Sequence, residues 1–206
     1  MSIYYIELDK EMLVVFGLDI SSTTNDEDIK AMTSLISNTI KTFDEKSKYV
    51  TYSIVTFHEK AEIVNRFDED DLSGLIKKLA SRDPAPGSSR NLDALFEEID
   101  QNVLSPRRYN NKMDNAVVIV LSAGNFNPTR KQSYPSYKRL VGDRTVDVVF
   151  VSTSDETNHD EILGDSVRKY TAPDVGQLPE VLSKLSKMLG RKSGGTPKII
   201  VTETSS

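Results

Sequence analysis

Three short segments of this chain are apolar almost without interruption: Met12 to Asp19 (MLVVFGLD), Ala116 to Leu121 (AVVIVL) and Val146 to Val151 (VDVVFV). A strand with one wetted face alternates apolar and polar residues, whereas a run without alternation belongs to a strand covered on both faces. The intervening stretches supply helices to do the covering. Ile29, Met32, Ile36, Ile40 and Phe43 recur at spacings of three and four, as do Leu92, Leu95, Phe96, Ile99 and Val103. Each set is one stripe of a helix. Tyr49 to Phe57 is rich in β-branched and aromatic residues, Ala61 to Phe67 alternates, and a polar turn at His58–Lys60 joins them, which predicts an antiparallel hairpin. Further helices are expected near 70–80, over 134–142 and on Leu178, Leu182, Leu185 and Leu189, with a last short strand near Val167–Tyr170.

With a short helical turn after Val151, the order reads β-α-β-β-α-α-β-α-β-α-β-α. It predicts an α/β fold: a doubly wound, mostly parallel six-stranded sheet with one antiparallel edge strand and helices on both faces. In such sheets ligands bind beyond the carboxyl ends of the strands, where the strand order reverses. The loops to inspect therefore follow Leu18, precede Leu92 and follow Leu121.

A chain of 206 residues can bury one substantial core. Its net charge of −5 disfavours phosphate backbones, and the basic spots Arg107-Arg108 and Arg130-Lys131 are too small for a nucleic-acid footprint. No apolar run approaches the roughly 20 residues that span a bilayer, so no membrane insertion is expected. The opening MSIYYIELDK lacks the basic-then-apolar pattern of a signal peptide. Cysteine is absent, which removes disulfides, thiolate metal sites and cysteine nucleophiles. Gly190 to Pro197 reads as a linker. The expected division is residues 1–10 as an extension, 11–190 as the domain, and 191–206 as linker and tail. Ile3–Leu8 and Lys198–Glu203 both have strand character. They are expected to pair with each other or with a neighbouring chain, a route to self-association.

Directly after the first buried strand stands Asp19-Ile20-Ser21-Ser22-Thr23. This resembles the Asp-x-Ser-x-Ser/Thr signature of von Willebrand factor A domains, in which it opens the metal-ion-dependent adhesion site. The family's second loop brings a Thr ahead of a helix carrying Ala-Leu. Here the matching stretch is Gly87-Ser88-Ser89-Arg90-Asn91-Leu92-Asp93-Ala94-Leu95, with Ser89 at the Thr position. The third loop usually reads Thr-Asp-Gly, and here reads Ser122-Ala123-Gly124, so Ala123 stands where the family has a carboxylate. The resemblance implies a metal site of Asp19, Ser21, Thr23 and Ser89 holding Mg2+ or Mn2+. One carboxylate with hydroxyls and waters suits such a hard cation, and the missing second carboxylate implies weak binding.

Each of these residues has an ordinary alternative. Asp19, Ser21, Thr23 and Ser89 precede helices and would serve as caps. Arg90 reads first as a solvated surface arginine, and second as a guanidinium facing the site and standing in for the cation. His58 and His159 lie in separate polar loops, and the acidic run Phe67–Asp71 suits a helix N-terminus better than a calcium loop. The resemblance implies a secreted, non-enzymatic module that binds another protein in adhesion or extracellular matrix assembly. A structural assembly domain with a vestigial metal site is the first alternative. A haloacid-dehalogenase-type phosphatase is the second, and it lacks its usual general acid because Ser21 occupies that position.

Overall fold

The computed structural model describes residues 12–44, 50–65, 71–82, 85, 87–106, 115–126, 135–142, 146–153 and 168–171. The strands are β1 (Met12–Asp19), β2 (Val50–Phe57), β3 (Ala61–Asn65), β4 (Asn115–Ser122), β5 (Val146–Ser152) and β6 (Arg168–Thr171). The helices are α1 (Asp26–Asp44), α2 (Leu72–Ala80), α3 (Leu92–Glu98) and α4 (Pro135–Gly142). A π-helical turn, Ile99–Leu104, continues α3. The expected terminal strands, the helix on Leu178–Leu189, the helical turn after Val151 and the linker lie outside the described residues.

The six strands form one sheet in the order β3-β2-β1-β4-β5-β6. Only β3 runs antiparallel, against β2, and the other pairs are parallel. The chain leaves β1 towards β2 and β3 on one side, then returns to add β4, β5 and β6 on the other. Strand order thus reverses between β1 and β4. The connections leave on opposite sides there, the switch point at whose carboxyl ends a doubly wound sheet has its crevice. Asp19 closes β1 and Ser122 closes β4, so both stand buried at its floor.

The absence of alternation in β1 has its expected cause: all eight of its residues are buried. Met12, Val14, Phe16 and Leu18 pack with Ile29, Met32, Ile36, Ile40 and Phe43 of α1 and with Ile76 and Leu79 of α2. Leu13 and Val15 face the other way, onto Leu92, Leu95, Phe96, Ile99, Val103 and Leu104, with Tyr137 and Leu140 of α4 completing that layer. The π turn carries Ile99, Val103 and Leu104, all buried in that layer. In the hairpin the register shifts between Ile54 and Val55, a bulge at Val64. Asn65 holds it, its side-chain oxygen accepting from the Ile54 amide at 2.5 Å and its carbonyl from the Ser53 hydroxyl at 3.2 Å.

Candidate functional site

Several loops meet over the crevice, and backbone hydrogen bonds fix how they meet. The Ile20 amide donates to Phe57 O, which carries the β1–β2 ladder one residue past the strand. The Ser22 amide donates to Gly87 O at 2.9 Å and the Ala85 amide to Ile20 O at 2.8 Å, tying the first loop to the segment before α3. Gly87 has φ +132°, and a Cβ there would stand 3.0 Å from the Glu59 carboxylate, so this crossing requires glycine. The Asn91 amide donates to His58 O, and its side-chain oxygen caps α3 by accepting from the Ala94 amide at 3.2 Å. The Thr153 amide bonds Ser122 O, and its hydroxyl bonds Asp28 of α1 at 2.8 Å.

At the centre lies Asp19, fully buried. Its Oδ1 accepts from the Ser21 amide at 2.9 Å. Its Oδ2 accepts from the Ser122 hydroxyl at 3.1 Å and from Arg90 Nε at 2.5 Å. Arg90 is only 7% exposed, so carboxylate and guanidinium form an ion pair withdrawn from water. Such pairs persist where further hydrogen bonds satisfy both partners. Here Nη1 donates to Asn125 O and Nη2 to Thr24 Oγ1, each at 3.4 Å. The Ser21 hydroxyl lies 3.2 Å from those of both Thr23 and Thr24. A Cβ on Gly124 would come within 3.3–3.4 Å of the guanidinium, which uses that bare backbone as a wall.

The model of the von Willebrand factor type A domain family matches residues 14–184. The chain belongs to that family. Solved structures of similar fold include proximal thread matrix protein 1 from the mussel byssus with a zinc-occupied MIDAS motif. It superposes with a TM-score of 0.70 at 14% identity over 92% of this chain and 48% of that one. Another structure of the same mussel protein gives 0.69 at 17% identity with the same coverage. The present chain thus spans about half the length of those proteins, and the likeness is one of fold. No curated protein matches.

Within this A domain the expected site residues part company. Asp19 and Ser21 take part in the cluster through direct hydrogen bonds, and Thr23 joins at its exposed rim. Ser89 is half-buried and makes none of the cluster's hydrogen bonds among the described residues. Helix capping is not their role: Asn25 caps α1 by accepting from the Asp28 amide at 2.8 Å, and Asn91 caps α3. The reading of Arg90 as a solvated surface residue is corrected, because two loops and a buried carboxylate enclose it. Ser122, Thr24 and the Asn125 carbonyl were not expected in the site. Thr24 directly follows the motif, and its amide bonds Ser21 O in a tight turn that returns its hydroxyl to Ser21.

The A-domain fold accommodates a divalent cation, as the mussel protein's zinc-occupied motif illustrates. The residues present in this chain do not fit one while Arg90 is in place. Asp19 Oδ2 is already taken by two donors, and Ala123 brings no ligand. Among the described residues no three His, Cys, Asp or Glu side chains converge. A doubly charged ion about 4 Å from the guanidinium would be repelled by roughly 8 kcal/mol at an effective dielectric constant of about 20.

Proposed function

We propose that this A domain is a non-enzymatic protein-binding module of adhesion or extracellular matrix assembly, and that its partner docks over the crevice between β1 and β4. Family membership supports the class, and the state of Asp19 carries the reading. The carboxylate at the switch point is fully buried and accepts three hydrogen bonds, one from a buried guanidinium, which supports a structural rather than a catalytic role. What the crevice offers outward is a rim of exposed Ser22, Thr23, Ser88 and Asn125, which supports recognition rather than turnover.

In this reading the protein works outside the cell, and its terminal segments contribute to self-association. The expected Mg2+ or Mn2+ at Asp19, Ser21, Thr23 and Ser89 gives way to a positive charge that the chain itself carries. The test is capture of extracellular matrix proteins of the source, and of a second copy of the chain, by immobilised wild type in excess EDTA. The same assay is run on a Thr23→Arg, Asn125→Arg variant. Capture by wild type that the rim variant loses supports the docking face. Capture indifferent to the rim moves that face elsewhere. Hydrolysis of a phosphate ester that Asp19→Asn abolishes would overturn the non-enzymatic reading.

A further inference from the structure

We propose that Arg90 is the resident cation of this site, a guanidinium permanently seated where an A domain with a complete motif would take a metal ion. Arg90 Nε meets Asp19 Oδ2 at 2.5 Å, and Nη2 reaches Thr24 Oγ1, itself 3.2 Å from the Ser21 hydroxyl. One planar group thus links the first loop, the segment before α3 and, through Asn125 O, the loop after β4. Those are the three loops that a metal would otherwise join. Two neighbours match the substitution. Ala123 withholds a second carboxylate, so one guanidinium charge balances the one that remains. Gly124 leaves room for the guanidinium, which a side chain at that position would crowd.

The consequence is a site assembled during folding and indifferent to cation supply. It gives the docking face proposed above a fixed shape, and it rests on that reading only for its purpose. Calorimetric titration of the wild-type chain with Mn2+ is expected to give no heat beyond dilution, and its melting temperature is expected to be equal in EDTA and in Mn2+. Removing the guanidinium opens the place. Arg90→Ala is expected to bind Mn2+, and adding Ala123→Asp is expected to tighten that binding about tenfold or more. Wild-type Mn2+ binding that a folded Asp19→Asn chain loses would overturn the proposal. A folded Arg90→Ala, Ala123→Asp chain that takes up no Mn2+ would do the same.

Arg90→Ala removes a buried partner and can unfold the chain, so the wild type supplies an independent readout. Its 1H–15N spectrum is expected to contain an arginine Nε–H signal protected from exchange and unmoved by Mg2+. No protected signal, or one displaced by Mg2+, overturns the assignment. None of these readouts involves a protein partner, so a failed docking assay and a failed resident cation are separate results.

Discussion

Arg90 and Asp19 stand 71 positions apart in the chain and share one hydrogen bond at the centre of the crevice. Removing either partner of a buried pair leaves an uncompensated charge, which costs about 3–5 kcal/mol. Asp19→Asn and Arg90→Met should each destabilise the domain towards that range, and the double variant should fall well short of the sum. Urea unfolding of the four chains measures the coupling, expected to be about 1.5 kcal/mol or more, and additivity would mean the two side chains do not interact. Gly17 offers a second test. A Cβ there would lie 2.8 Å from Leu95, itself fully buried, so Gly17→Ala should cost about 1–3 kcal/mol in thermal unfolding. Asp19 and Ser21 were legible because their motif is local and follows a buried strand. The role of Arg90 was legible only as the second reading, behind a solvated surface arginine, because it depends on Gly124 and Asn125 arriving from a distant loop.

The elements themselves were largely written in hydrophobic period. Uninterrupted apolar runs became β1, β4 and β5, and the stripes at three and four became α1 and α3. Periodicity could not reveal the π turn after Glu98, since one extra residue per turn leaves the preceding pattern intact. Nor could it show the bulge at Val64, which depends on Asn65 bonding across to β2. The short helix α4 contributes Tyr137, stacked obliquely on Phe96 with ring centroids 5.2 Å apart. Burial raises the Tyr137 phenol from 10.0 to about 12. Below pH 10 the tyrosine is protonated in both folded and unfolded chains, and its contribution is intact. Between pH 10 and 12 the unfolded chain releases the proton while the folded chain retains it, so stability falls as pH rises. Tyr137→Phe should flatten that fall in urea titrations across the window, and an unchanged slope would show that Tyr137 does not cause it.

For the molecule as a whole, the doubly wound order puts Asp19 and Ser122 side by side and makes the β1–β4 crevice the natural site, as the alternation of strands and helices implied. The family match ends at residue 184, and Gly190–Pro197 reads as a linker. A chain ending at Gly190 should melt within about 2 °C of the full one, a difference of under about 1 kcal/mol for a domain of this size. A larger drop would assign the tail to the core.

The most direct measurement is a crystal structure of the wild-type domain grown in Mn2+, with anomalous data collected for the metal. The expected result is the Arg90 guanidinium bonded to Asp19 Oδ2 with no anomalous peak in the crevice. A manganese peak bound by Asp19, Ser21 and Thr23, with Arg90 swung away, would contradict a site that carries its own cation.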